Sequence, residues 1–215
     1  MEQQRAESLQ RAVVFLTAAA ALVLGVVFFK HPGWQDWPVM LALGAVFLYL
    51  QTVMVRIGER ADYSLATASI FPIICLYGIT PAMVISALAG LADGLVHKKQ
   101  CHRVVFNASQ LPLAALTSAL IYRALRFPLG TSGLGGVTAM VAGAVVYTFV
   151  NILLVSRMVS IWRGVGWWSQ TRILLARSFR SSLSAILIGL VFTFFVKSYG
   201  FWGVVGFGCL LMNLS

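Results

Sequence analysis

The stretch Tyr63–Val96, YSLATASIFPIICLYGITPAMVISALAGLADGLV, contains a single charged residue in 34 positions. A helix of that length would measure about 51 Å, whereas the hydrocarbon core of a bilayer is roughly 30 Å thick. Gly78 and Pro81 are helix breakers, so we predict two short spans, at 63–76 and 82–96. The apolar run is continuous rather than alternating, which favours membrane helices over the strands of a barrel.

The composition of the whole chain indicates the same class of protein. Of its 215 residues, 60% are hydrophobic and 10% are charged, whereas soluble domains contain about 25% charged residues. We therefore predict an all-α, polytopic transmembrane bundle with about six to eight spanning helices. After an N-terminal segment, 1–11, a single transmembrane domain (12–215) has predicted spans near 12–29, 38–55, 63–76, 82–96, 104–125, 137–155, 183–196 and 201–212.

The segment 167–180 has a different pattern. Its tryptophans and leucines can share one helical face, and its arginines lie mostly away from that face. This pattern predicts an amphipathic helix at the membrane interface. The residues that we expect to anchor the protein at the interface are Trp162, Trp167, Trp168, Arg172, Arg177 and Arg180.

The basic residues predict the orientation of the chain. With the segment 1–11 in the cytoplasm and eight crossings, twelve lysines and arginines lie on the cytoplasmic side and four on the other side. The positive-inside rule favours this arrangement, with a cytoplasmic C-terminus. The net charge of +10 is therefore explained by the membrane loops, and we expect no nucleic-acid partner.

Asp93 is the only acidic residue inside a predicted span. An ionisable side chain at membrane depth is costly, which makes it a functional candidate by default. Asp93 lies one helical turn before the basic loop 97–103, so Lys98, Lys99 or Arg103 could pair with it. Two interpretations remain open at this stage, a structural ion pair and a ligand or proton site.

The spans at 104–125 and 137–155 contain amides. Asn107 and Gln110 are three residues apart and share a helical face, and Asn151 is a lone amide that could meet that face. Amides in a bilayer need hydrogen-bond partners, so these side chains could serve helix packing or line a ligand site. We take Asp93, Asn107, Gln110 and Asn151 as the hypothetical ligand-binding, polar interior.

Ser86, Gly90 and Gly94 recur at four-residue spacing around Asp93. Small residues at this spacing allow two helix backbones to approach closely. We predict that they form a helix-packing face and that their helix is central in the bundle.

The sequence contains none of the common catalytic motifs, so we expect that the chain is not itself an enzyme and needs no cofactor. His97, Cys101 and His102 are close in sequence, but they lie among basic residues and lack a convincing fourth ligand. We therefore predict no metal site.

Four short motifs carry a family resemblance. They are Tyr63-Ser64-Leu65, the turn Tyr77–Ala82, the helix start Phe106-Asn107-Ala108-Ser109-Gln110, and Ala119-Leu120-Ile121-Tyr122. With the small residues before Asp93, they resemble the multi-helix membrane input domain of bacterial signalling proteins that carry a GGDEF (diguanylate cyclase) or HD-GYP (cyclic-di-GMP phosphodiesterase) domain. The resemblance implies a sensor in the bacterial cytoplasmic membrane that perceives a small molecule or a membrane state and passes it to a cytoplasmic output domain.

A second, weaker resemblance gives the alternative. The short spans and the small-residue helix that ends near an acid are similar to the substrate-binding components of energy-coupling-factor transporters. That resemblance implies a vitamin-like solute and transporter subunits as partners. In either case the lipid bilayer surrounds the protein, and the sequence leaves open whether the chain forms a homo-oligomer.

Overall fold

The computed structural model describes residues 37–52, 55–56, 62–63, 66–130 and 133–213. Within these residues the chain forms seven α-helices, which are α1 Trp37–Thr52, α2 Ala66–Tyr77, α3 Ile79–Val96, α4 Cys101–Leu129, α5 Gly133–Arg163, α6 Trp167–Tyr199 and α7 Phe201–Asn213. The prediction of an all-α transmembrane bundle is confirmed. The segment 1–11 and the predicted span 12–29 lie outside the described residues.

The helices have the length and composition of a multi-pass membrane protein. Among the residues that the structure describes, four segments are long and apolar enough to cross a bilayer, namely α3, α4, α5 and the part Ser181–Tyr199 of α6. The helices α1, α2 and α7 are apolar but shorter. Large apolar side chains such as Leu88, Phe194 and Trp202 are exposed on the bundle surface, where lipid would cover them.

The break between α2 and α3 lies at Gly78, where the sequence predicted it. Gly78 has a φ of 85°, a left-handed conformation that glycine adopts without the steric cost of a Cβ atom. Its N–H donates to the carbonyls of Ile73 (3.1 Å) and Ile74 (3.2 Å), which closes the end of α2. Pro81 lies in the first turn of α3, a position where its missing N–H costs no intrahelical bond.

Helix α2 lies at the centre of the bundle. Eight of its twelve residues are buried, and it contacts α1, α3, α4, α5 and α6. The ring of Phe71 meets that of Tyr147 edge-on at 6.0 Å, and Phe71 also closely approaches Gly189 in α6. The sequence-based expectation had placed α3 at the centre, but α3 exposes Leu88, Leu91 and Leu95 on one side.

The predicted interfacial helix 167–180 is not a separate element. It forms the first half of α6, which continues without a break through the predicted span 183–196 to Tyr199. A helix of 33 residues is about 50 Å long, so it extends well beyond a bilayer core of roughly 30 Å. The correction has a simple cause, because no glycine or proline interrupts the chain between 167 and 188.

Two predicted spans overlap short strands at one end. Val55, the last residue of the predicted span 38–55, and Tyr63, the first residue of the predicted span 63–76, lie in strands rather than in helices α1 and α2. Between them, strands β1 (Val55–Arg56) and β2 (Asp62–Tyr63) pair antiparallel.

Candidate functional site

The basic end of the bundle, where α3 and α5 end and α4 and α6 begin, contains the candidate site. Its first feature is the turn after α3. The N–H of Lys98 donates to the carbonyl of Leu95 (3.2 Å), and that of Lys99 donates to the carbonyl of Gly94 (2.9 Å). These two bonds form a Schellman motif, with Lys98 at its left-handed position. The chain reverses here, which brings Lys99 back beside α3.

Lys98 has a φ of 48° in this turn, and a left-handed conformation is unfavourable for a residue with a Cβ atom. Lys98→Gly should therefore raise the free energy of unfolding by about 1 kcal/mol. Thermal unfolding in detergent micelles measures this as a higher melting temperature. Lys98→Ala is the matched control, because it removes the same charge but keeps the Cβ atom. A melting temperature that rises equally in both variants would attribute the gain to charge rather than to backbone strain.

Asp93 is the centre of a polar network that joins α3 to the turn and to α4. Its side chain accepts from Lys99 Nζ at 2.6 Å and from Asn107 Nδ2 at 3.0 Å, both through Oδ2. His97 Nδ1 lies 3.0 Å from Oδ1 and 3.0 Å from the backbone carbonyl of Asp93. Because both neighbours of Nδ1 are acceptors, this nitrogen carries the ring proton. We call these four residues the Asp93 network.

The centre of the Asp93 network, the Asp93 carboxylate, is shielded from solvent, whereas His97 is exposed. Asp93 is 1% exposed, whereas the Lys99 side chain is 23% exposed. A carboxylate this deeply buried is stable only when paired and hydrogen-bonded, and Lys99, His97 and Asn107 together occupy both of its oxygens. The structure therefore contains an ion pair at Asp93, one of the two interpretations of the sequence, and Lys99 is the basic residue that pairs with Asp93.

The small residues of α3 allow this approach. A Cβ atom on Gly90 would lie 2.6 Å from the carbonyl carbon and oxygen of Asn107, and one on Gly94 would lie 2.6 Å from Val104. Ser86 is fully buried on α3, and its hydroxyl has no hydrogen-bond partner among the described residues. The two glycines therefore hold α3 and α4 at the separation at which Asn107 reaches Asp93.

A cavity of about 280 Å³ lies next to the Asp93 network, between the turn, α4 and α5. We call it the α4–α5 cavity. Its polar lining residues are Lys99, Arg103 and Asn107, and its apolar lining residues are Phe106, Val155, Met158, Val159 and Trp162. Lys99 and Asn107 belong to both the cavity wall and the network, so an occupant of the cavity could compete with Asp93 for them.

The aromatic and basic residues at this end contact one another. The guanidinium of Arg103 lies 5.2 Å from the centre of the Trp162 ring, that of Arg157 lies 5.7 Å from Trp167, and that of Arg172 lies 5.9 Å from Trp168. Such cation–π contacts suit side chains at a membrane interface. Arg177 is exposed, and the side chain of Arg180 lies outside the described residues.

A small hydrogen-bonded cluster links α5 and α6 beside this site. The indole N–H of Trp167 donates to Ser156 Oγ at 3.0 Å, and Ser156 Oγ lies 2.7 Å from Thr171 Oγ1. Ser156 and Thr171 were not predicted from the sequence, because a serine and a threonine on different helices give no pattern in it.

Gln110 and Asn151 are not part of the Asp93 network. The side-chain oxygens Gln110 Oε1 and Asn151 Oδ1 are buried, and neither has a hydrogen-bond partner in the part of the chain that the structure describes. The structure shows no hydrogen bond between Asn151 and Asn107 within these residues, and whether Asn151 serves helix packing or ligand binding stays a prediction. Of the four polar-interior candidates, the structure brings together Asp93 and Asn107 alone.

Comparison with known proteins gives one match. The model of the MASE9 family, a family of membrane-associated sensory domains, matches residues 41–211. No curated protein and no solved structure gave a match. The matched range begins in α1 and ends in α7, so it includes the Asp93 network and the α4–α5 cavity.

Proposed function

Because the chain belongs to the MASE9 family of membrane-associated sensory domains, we propose that it perceives a ligand or membrane state at the Asp93 network. In this proposal the chain passes the resulting change to a cytoplasmic signalling output, such as a GGDEF or HD-GYP domain. The chain itself performs no chemical step. The basic end of the bundle faces the cytoplasm, in accord with the positive-inside rule.

The observation that supports the proposal most directly is that Lys99 and Asn107 belong both to the Asp93 network and to the lining of the α4–α5 cavity. Lys99 pairs with Asp93 at 2.6 Å and also lines the cavity. A cavity occupant that attracts Lys99 would weaken the pair, while an empty cavity leaves Lys99 on Asp93. A ligand that binds one of two such arrangements better shifts the population towards it.

The helices at the basic end offer a route for this change. Asn107 links the network to α4, and α4 packs on α5. The cluster of Ser156, Trp167 and Thr171 then links α5 to the first half of α6. A shift of Lys99 and Asn107 would therefore alter contacts at the end of the bundle that faces the output domain.

Lys99→Ala tests the proposal in the full-length protein, expressed in its host membrane, with the cellular cyclic-di-GMP concentration as the readout. We expect a change of about fivefold or more, the lower range of typical coupling between two sites. Lys98→Ala is the matched control, because Lys98 is exposed and lines neither the network nor the cavity. A cyclic-di-GMP concentration that is the same for wild type and Lys99→Ala would contradict the proposal.

A further inference from the structure

The α4–α5 cavity has the chemistry of an anionic amphiphile site, and we propose that it binds the phosphate headgroup of an anionic membrane phospholipid. Arg103 and Lys99 would hold the phosphate, and the apolar wall of the cavity would hold the start of an acyl chain. The proposed binding is a property of this chain by itself. Only its signalling consequence rests on the proposed sensory function.

Positively charged side chains outnumber negatively charged ones at the basic end, so this end attracts anions. Among the described residues of the turn 97–100 and of the adjoining ends of α3, α4, α5 and α6, Asp93 is the one carboxylate, and it is already paired with Lys99. The lysines and arginines there are Lys98, Lys99, Arg103, Arg157, Arg163, Arg172 and Arg177. Basic clusters beside membrane helices attract anionic lipid headgroups, and of these residues Lys99 and Arg103 line the cavity.

Arg103 is the side chain best placed to bind a phosphate. It lines the cavity, and its guanidinium rests on the face of Trp162. Among the described residues it makes no ion pair with a carboxylate. A guanidinium offers five N–H donors in a planar fork that matches phosphate geometry, and the stacked ring restricts the positions that the fork adopts.

The apolar wall distinguishes a lipid from a soluble anion. Phe106 and Met158 are buried against each other, with Val155 packed on them, and all three line the cavity. Phe106 lies on the first turns of α4, a helix of 29 residues that at about 44 Å is longer than a bilayer core. The cavity thus combines charged and apolar groups near a helix end, where lipid headgroups meet acyl chains. A free phosphate would gain nothing from the apolar wall.

The test measures lipid binding to the full-length protein by native mass spectrometry after exchange into nanodiscs. The probes are phosphatidylglycerol and phosphatidylcholine with identical acyl chains, and the soluble compound glycerol 3-phosphate. We expect a preference for phosphatidylglycerol over both other probes. Arg103→Gln should weaken the binding of phosphatidylglycerol about fivefold, whereas Arg163→Gln, which removes a charge at the same end outside the cavity lining, should leave it within twofold of wild type.

Three results would overturn the inference. They are equal binding of the two lipids, equal losses in Arg103→Gln and Arg163→Gln, and binding of glycerol 3-phosphate as tight as that of phosphatidylglycerol, which would point to a soluble anion. The binding readout is independent of signalling. If Lys99→Ala leaves the cyclic-di-GMP concentration unchanged while lipid binding still depends on Arg103, the sensory proposal alone fails. If Lys99→Ala changes the cyclic-di-GMP concentration while lipid binding does not depend on Arg103, the lipid inference alone fails.

Discussion

Gly90→Leu is expected to prevent the assembly of a stable bundle. A Cβ atom at this position would lie 2.6 Å from the carbonyl carbon and oxygen of Asn107 and 2.7 Å from the Cα atom of Ala108. These are backbone atoms of a packed helix, so they cannot move aside as a flexible side chain would. Even Gly90→Ala should lower the free energy of unfolding by about 1–3 kcal/mol, the usual cost of overpacking a core, and leucine should exceed that cost.

The measurement is the melting temperature of the purified protein in detergent, read by size-exclusion chromatography after heating. Gly206→Ala is the matched control, because a Cβ atom on this helical glycine of α7 would meet nothing within 4 Å. The control should be neutral or slightly stabilising, since alanine favours helices by about 1 kcal/mol over glycine. A Gly90→Leu protein that unfolds at the wild-type temperature would contradict the close approach of α3 and α4.

Asp93→Ala is expected to have the second-largest effect. Removal of the carboxylate leaves the Asn107 amide without its acceptor and Lys99 without its counter-charge. Breaking a buried ion pair typically costs about 3–5 kcal/mol. Lys99 is partly exposed and can turn towards water, so we expect a loss of about 2–3 kcal/mol in the free energy of unfolding.

Chemical unfolding in mixed micelles measures this loss, and Asp93→Asn provides the comparison. Asparagine keeps the shape of the side chain and an oxygen that can accept from Asn107, so it should lose less stability than alanine. If Asp93→Ala is as stable as wild type, the carboxylate does not hold α3 to α4, and the network contributes nothing to the fold.

Much of the fold follows from local features of the sequence. Long apolar runs predict the helices. Gly78 predicts the break between α2 and α3, and the positive φ of its backbone in the structure is the conformation for which glycine is suited. The continuity of α6 was missed because tryptophans and arginines at 167–180 have the pattern of an interfacial helix. The absence of glycine and proline across that segment was the signal that the helix continues.

The candidate site was only partly predictable. Asp93 stands out as a lone acid in an apolar run, and the four-residue spacing of Gly90 and Gly94 indicates a close neighbouring helix. Which basic residue pairs with Asp93 depends on the left-handed turn at Lys98, and a lysine gives no hint of such a turn. Gln110 was grouped with Asn107 because they share a helical face, but it lies nearly one turn further from the basic end, and Asp93 meets α4 only at its first turns.

The proposed sensory function requires that Asp93 and Lys99 act as one unit in signalling. A double-mutant cycle tests it, with Asp93→Asn, Lys99→Gln and the double variant compared in the full-length protein by cellular cyclic-di-GMP concentration. We predict that each single substitution changes the concentration and that the double variant departs from the product of the two changes by fivefold or more, as expected for groups in direct contact with a coupling of about 1 kcal/mol or more. A double variant that equals the product of the single effects would mean that the two side chains act independently, and it would contradict the proposed coupling of Asp93 and Lys99.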